Sequence, residues 1–271
     1  MIEATVLADN IASGDLKGEW GLSIFIKSDA GQILLDAGAS KLFLTNAENL
    51  KLDLRQVDFG VLSHAHYDHS DGMREFFRVN PKASFYLREG SGENCYLKKW
   101  IFHKYIGLPK RILKEYEERI VYVSGDYRLA DGVSLIPHKT EGLSQVGRKN
   151  HMYVRKNKKW LPDDFSHEQS LVFDTENGLV IFNSCSHTGA DNIIREVSAT
   201  YPGKKVRAIV GGFHIFDKSE SEVRELAKRI KAAGVEEIYT GHCTGGRSFK
   251  ILKEELGDCV HQLRVGLLIK F

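Results

Sequence analysis

An apolar segment, Val57–Ser63, runs straight into His64-Ala65-His66-Tyr67-Asp68-His69, and no other stretch constrains this chain so tightly. Three imidazoles and a carboxylate occupy positions 64 to 69, in a chain with 11 histidines among 271 residues. In an extended loop His64 and His66 point to the same side, because successive side chains alternate. Asp68 and His69 lie one turn further on, where a helix can start and aim them at a neighbouring point. That spacing can supply ligands to two metal ions. Neutral imidazole with carboxylate suits Zn²⁺, Mn²⁺ or Fe²⁺. The expected cofactor is therefore a divalent metal, one or two ions per chain, zinc before manganese or iron, with no organic cofactor. Asp68 is the expected catalytic carboxylate.

The rest of the chain must build a frame for this loop. Ile2–Ala8 is apolar and β-compatible. In Gly21–Ser28, Leu22, Ile24 and Ile26 alternate with Ser23 and Lys27, the mark of a half-buried strand. Asp29-Ala30-Gly31 predicts a turn and Gln32–Asp36 the returning strand. Helices are expected over Lys41–Leu50 and Asp71–Val79, with a strand at Ala83–Leu87. In the last third, Gln169–Asp174 and Leu179–Asn183 form a hairpin around Glu176-Asn177-Gly178. Strands at Val206–Gly211, Glu237–Thr240 and Val260–Phe271 alternate with helices at Asp191–Tyr201, Ser219–Ala233 and Arg247–Leu256. Ser219 or Ser221 caps the middle helix and Gly234 stops it. Two sheets packed face to face, with helices outside both, satisfy this order.

Residues 90–162 are less regular. A helix near Lys110–Glu118 and a strand at Ile120–Val123 are expected, with the remainder inserted over the sheet edges as lid-type segments. No Pro- or Ser-rich linker separates them, so residues 1–271 read as one domain.

The run HxHxDH at a strand end, followed by Gly72, resembles the signature of the metallo-β-lactamase superfamily. Leu34-Leu35-Asp36-Ala37-Gly38 is similar to that superfamily's strand-plus-DxG element. Further likeness lies in Asn183-Ser184-Cys185-Ser186-His187-Thr188-Gly189, Gly211-Gly212-Phe213-His214 and Gly241-His242-Cys243-Thr244-Gly245. This combination resembles a subgroup that includes a dihydropterin-dependent ribofuranosylaminobenzene-phosphate synthase. The resemblance implies an α+β fold, a four-layer αββα sandwich of two mixed sheets. It implies that His64 and His66 hold one metal, and that Asp68 and His69 hold a second with His242. The third ligand of the first metal is expected at His187, with His167 as the rival. Most two-metal members place a bridging Asp where this chain has Ser184-Cys185. Cys185 is then either a thiolate ligand or a small buried residue, and a single-metal site is an alternative.

Other residues suit a substrate. His214, Cys185, Tyr153 and Arg148 are the candidate contacts. Six basic residues lie between Arg148 and Lys159. The stretch is either a solvated loop or a lid that attracts an anion. Tyr153 and Trp160 could stack on a ring. The expected substrate is small and anionic, with an aromatic part. The expected function is hydrolysis of an ester or phosphoester by a metal-activated water. Two alternatives stay open. One is transfer joining a pterin diphosphate to an arylamine ribose phosphate. The other is a metal-binding protein without turnover. Formal net charge is +2, which argues against a nucleic-acid partner. No apolar run approaches bilayer length and no secretory pattern opens the chain, so no membrane partner and a cytoplasmic location are expected.

Overall fold

Along the first strands, Ile24 and Ile26 turn to one side and Phe25 to the other, and Ile33 and Leu35 face opposite to Leu34. Strands that are apolar on both faces must be covered on both, and this one does it with a second sheet and with helices. The computed structural model covers residues 1–271. The first sheet has seven strands in the order Leu268–Lys270, Ile2–Ala8, Ser23–Ser28, Gly31–Leu35, Phe59–Val61, Ser84–Arg88 and Ile120–Val123. The second also has seven: Val260–Gln262, Glu237–Thr240, Val206–Gly211, Gly178–Phe182, Gln169–Thr175, Val133–Pro137 and Tyr127–Ala130. Both are mixed, antiparallel on one side and parallel on the other.

A cluster of 20 buried residues, with Ile24, Val61, Leu171, Phe182 and Val210 among them, fills the space between the sheets. A cluster of 22, including Phe43, Phe76 and Phe85, packs the helices Leu42–Asn49 and Met73–Val79 on the outside of the first sheet. A third, of 20, seats the helices Ala190–Thr200, Glu220–Ala232 and Gly246–Leu256 on the second. The result is the expected four-layer αββα sandwich. Ser219 caps Glu220–Ala232 in a capping box with Glu222. No helix is long and apolar enough to cross a membrane.

Residues 90–162 differ from the sequence-based expectation. Part of them forms a third, four-stranded antiparallel sheet, ordered Lys159–Pro162, Met152–Lys156, Cys95–Lys99 and Phe102–Tyr105. Tyr127–Ala130 and Val133–Pro137 instead extend the second sheet. The helix expected near Lys110–Glu118 is a single turn, Ile112–Glu115, because Arg111 holds φ 70° and Tyr116 leaves helical geometry. The closing segment splits: Val260–Gln262 pairs with Glu237–Thr240, while Leu268–Lys270 crosses to Ile2–Ala8.

Candidate metal centre

Every loop that reaches the site leaves the C-terminal end of a strand. Asp36 follows Gly31–Leu35, His64 follows Phe59–Val61, Cys185 and His187 follow Gly178–Phe182, His214 follows Val206–Gly211, and His242 follows Glu237–Thr240. Crevices at the carboxyl ends of parallel strands are where ligands bind in mixed sheets. The loops turn sharply here: Asp36, Ser186, His214 and His242 all hold positive φ, between 47° and 59°. Non-glycine residues pay on the order of 1 kcal/mol or more for such backbone, and it persists where surrounding contacts enforce it.

The chain is not extended from His64 to His66 but bends there, with His66 N donating to the His64 carbonyl at 3.0 Å, and a single helical turn, Tyr67–Ser70, then presents Asp68 and His69. The ligand atoms of His64, Cys185 and His187 lie within 4.8 Å of one another, and so do those of His69, Cys185 and His242. Asp68 joins the second group, with Oδ2 3.5 Å from His242 Nε2 and 3.8 Å from His69 Nε2. The His66 ring is 4.6 Å from that of His64 and 4.9 Å from that of His187. The structure thus brings together His64, His66, Asp68, His69, His187 and His242.

Hydrogen bonds set the tautomers. The Ser63 hydroxyl donates to Asp36 Oδ2 at 2.7 Å, so the His64 Nδ1–H is the donor in its 2.8 Å bond to Ser63 Oγ. His69 Nδ1 donates to Asp36 Oδ2 at 2.8 Å, and His242 Nδ1 to Asn10 Oδ1 at 3.1 Å. Each bond leaves an Nε2 lone pair turned inward. Buried polar atoms are normally paired. Yet His64 Nε2, His66 Nε2, His242 Nε2 and both ring nitrogens of His187 are buried with no partner. Four imidazoles with an orphaned ring nitrogen, beside a carboxylate and a thiol, are the donor set a divalent metal requires, and the residues fit one.

For His64, His66 and His187 the electrostatics agree with this reading. Burial first, then the charges of neighbouring imidazoles, hold His64 and His187 well below the ordinary histidine range. His66 is pushed down to about 3 by burial and by His167. Burial would raise the Asp68 carboxyl, but His69 and His242 outweigh it and hold it low. Burial would lower His242, but Cys243 and Asp68 lift it to about 9. Asp9, whose carboxylate accepts from His242 N at 2.9 Å, is raised to about 6 by burial.

His167, the rival third ligand, is engaged elsewhere. Its Nδ1 accepts from Ala65 N at 3.2 Å and its Nε2 donates to Asp163 Oδ2 at 3.1 Å. Glu168 accepts from the backbone of His187 and Thr188 at 2.8 and 3.0 Å, so it holds the His187 loop. Cys185 lies 3.3 Å from His69 Nε2 and 3.2 Å from Cys243 Sγ. It belongs to both groups that could hold a metal, so its thiol is within reach of either ion as well as of the cleft.

Above the site is a cleft of about 330 Å³, lined by Trp20, Asp68, Lys104, His187, His214 and Phe216 among others. It adjoins a groove of about 700 Å³ that carries Lys149, Asn150 and Lys218. His214 stands in both, its ring 4.2 Å from that of His187. Arg148 and Tyr153 are not brought there. Arg148 is exposed on the helix Leu143–Lys149, and its neighbours Lys149 and Asn150 reach the cavities instead. Tyr153 pairs with Tyr96 on the small sheet, away from the cleft. Sequence reasoning missed Trp20, whose Nε1 donates to Asp68 Oδ2 at 3.0 Å, and the orienting roles of Asp36 and Asn10. Asp36 had a signal in its motif; Trp20 and Asn10 had none.

Residues 21–152 match the family described as Metallo-beta-lactamase superfamily. The chain is 26% identical over 267 residues to a Methanocaldococcus jannaschii protein named 7,8-dihydropterin-6-methyl-4-(beta-D-ribofuranosyl)-aminobenzene-5'-phosphate synthase, across 93% of this chain and 90% of that one. A crystal structure described as a metal-dependent hydrolase of the beta-lactamase superfamily is 27% identical with TM-score 0.84, covering 100% of this chain and 99% of that chain. Zn²⁺-bound PqqB from Methylobacterium extorquens shares the fold at 11% identity, TM-score 0.55, over 99% of this chain and 100% of that one.

Proposed function

We propose that this chain, which belongs to the metallo-β-lactamase superfamily, is a metal-dependent enzyme that hydrolyses an ester or phosphoester bond of a small anionic substrate. The four imidazoles with an unpartnered ring nitrogen beside Asp68 and Cys185 carry this reading. His64, His66 and His187 would hold one ion. Asp68, His69 and His242 would hold a second, with Cys185 in reach of both. When bound, a divalent metal supplies Lewis acidity that polarises a carbonyl or phosphoryl oxygen and makes water a competent nucleophile near neutral pH.

The chain's own groups do the positioning. Asp36 fixes His69 directly and His64 through Ser63, so both keep Nε2 turned inward. Trp20 Nε1 pins Asp68 Oδ2, leaving Oδ1 to orient an attacking water and take its proton. Trp20 and Phe216, edge to face at 5.6 Å, form an aromatic wall for a substrate ring. Lys104 at the cleft, with Lys149 and Lys218 in the adjoining groove, suits a phosphate or carboxylate.

The synthase name of the Methanocaldococcus jannaschii relative favours a second reading. The same centre would then serve a transfer, joining a pterin diphosphate to an arylamine ribose phosphate with diphosphate leaving and no water attacking.

Metal analysis of the purified chain beside His64→Ala, His187→Ala and Cys185→Ala tests the centre. About two equivalents of Zn, Mn or Fe, reduced in all three variants, is the expected result. One equivalent would mean a single-ion site, and no metal under any loading condition would remove the premise. Turnover of an ester and phosphoester panel supports hydrolysis. Diphosphate release only with both a pterin diphosphate and an arylamine supports the transfer. Bound metal with neither activity supports a non-catalytic protein.

A further inference from the structure

The third sheet and its flanking segments have a charge pattern that the cleft and groove at the metal centre account for only at Lys104 and Lys149. Residues 95–111 and 148–162 together hold eleven lysines and arginines and no aspartate or glutamate, although the whole chain has a formal net charge of only +2. The rest of the chain is therefore acidic in excess. Lys156 and Lys159 are direct cross-strand partners, an arrangement that destabilises a hairpin unless an external anion relieves it. Lys98, Lys99 and Lys104 flank the turn joining Cys95–Lys99 to Phe102–Tyr105. At that turn Trp100, Ile101 and Phe102 are 86%, 82% and 72% exposed. Trp100 holds φ 60°, where Asn or Gly would sit without strain. Three consecutive large apolar side chains at a convex tip, ringed by lysines, pack against nothing in the chain.

We infer that the Trp100–Phe102 tip and its cationic sheet dock on an anionic lipid bilayer, the tip entering the interface and the lysines and arginines lying over the headgroups. Tryptophan favours the boundary between hydrocarbon and water. Each Lys or Arg near an anionic surface adds attraction, and apolar insertion adds to it. Surface docking needs no spanning helix, and this inference departs from the sequence-based expectation of no membrane partner. A single-stranded nucleic acid fits less well. Bases need a run of free aromatic faces, but His103 stacks on Trp160 at 3.7 Å and Lys110 covers Tyr105 at 3.5 Å, which leaves only Trp100 and Phe102. Ile101, at the apex, offers no stacking face. A second copy meeting this sheet with its own would set like charges against each other. The inference does not depend on the proposed reaction.

Co-sedimentation of the full chain with vesicles of phosphatidylcholine alone, and of phosphatidylcholine with phosphatidylserine, tests this. Binding is expected to the mixed vesicles only and to weaken with added salt. A Trp100→Ser/Ile101→Ser/Phe102→Ser variant should lose about tenfold or more of it, with metal content and melting temperature unchanged. A Lys98→Glu/Lys99→Glu/Lys156→Glu variant should lose it as well. Absence of binding to the mixed vesicles would overturn the inference, as would an unaltered tip variant. So would a dimer in size-exclusion chromatography that the tip substitutions dissociate, since a second copy then covers the tip. Preference for an oligothymidylate over the vesicles would assign the sheet to nucleic acid and overturn it equally.

Discussion

His64, His69 and His242 each give their Nδ1 proton to an oxygen, of Ser63, Asp36 and Asn10 in turn; Nε2 of His64 and His242 has no partner, and that of His69 faces Cys185 Sγ at 3.3 Å. Burial holds His64 neutral, oriented and ready to accept a metal, whereas His242, lifted to about 9, must first give up a proton. Protons compete with metal for the same lone pairs. Burial lowers His64 and His187 well below the ordinary value and His66 to about 3, which disfavours the charged form. At the group formed by His64, His66 and His187, competition by protons therefore begins at a lower pH than for free imidazoles, and at His242 it begins at a higher one. Metal held by His64, His66 and His187, measured after dialysis at stepped pH, should persist well below about 6.5, the ordinary histidine value, and outlast metal held by His242. Loss centred near that value would show that the imidazoles are not held neutral.

At the scale of elements, the site depends on how closely strand ends can approach. Gly211 ends Val206–Gly211 with φ 142°, and a Cβ there would lie 1.9 Å from the Asn183 carbonyl oxygen. That oxygen belongs to the loop carrying Cys185 and His187, so the contact ties two ligand-bearing strand ends together. Gly211→Ala should cost about 3 kcal/mol through overlap and strain, lowering the melting temperature by about 5 °C and reducing bound metal. Ser219→Ala is the comparison. It removes the cap of Glu220–Ala232 on the outer layer, which should cost about 1 kcal/mol and leave metal content unchanged. Equal metal loss in both variants would mean that general destabilisation, not the strand-end contact, controls the site.

For the whole molecule, the three apolar clusters of 22, 20 and 20 buried residues make folding independent of the ligand set. Small metal-folded domains lack such cores and unfold when chelated. Here the chelated chain should keep its near-ultraviolet circular dichroism and unfold cooperatively. Its melting temperature should fall by about 7 °C, since a tightly held ligand adds about 4 kcal/mol by linkage and a chain this long has a large unfolding entropy. Loss of the near-ultraviolet signal on chelation would mean that the metal holds the two sheets together.

Local periodicity determined much of this. Ile2–Ala8, Val206–Gly211 and Glu237–Thr240 match their sequence-based bounds because short segments rich in β-branched and aromatic residues read as strands. His64, His66, Asp68 and His69 were legible because six consecutive positions hold them all. The small sheet was not legible, since its strands are basic and half-exposed and carry no apolar period to read. Nor could local sequence settle His187 against His167, or the position of Cys185. Those depend on which lone pairs remain free once Ala65, Asp163 and Glu168 have taken theirs. Asp36 meets His69 across 33 residues and Asp9 meets His242 across 233. Tertiary structure alone decides such pairings, because hydrogen bonding depends on distance in space and periodicity reports only which face of its own element a residue occupies.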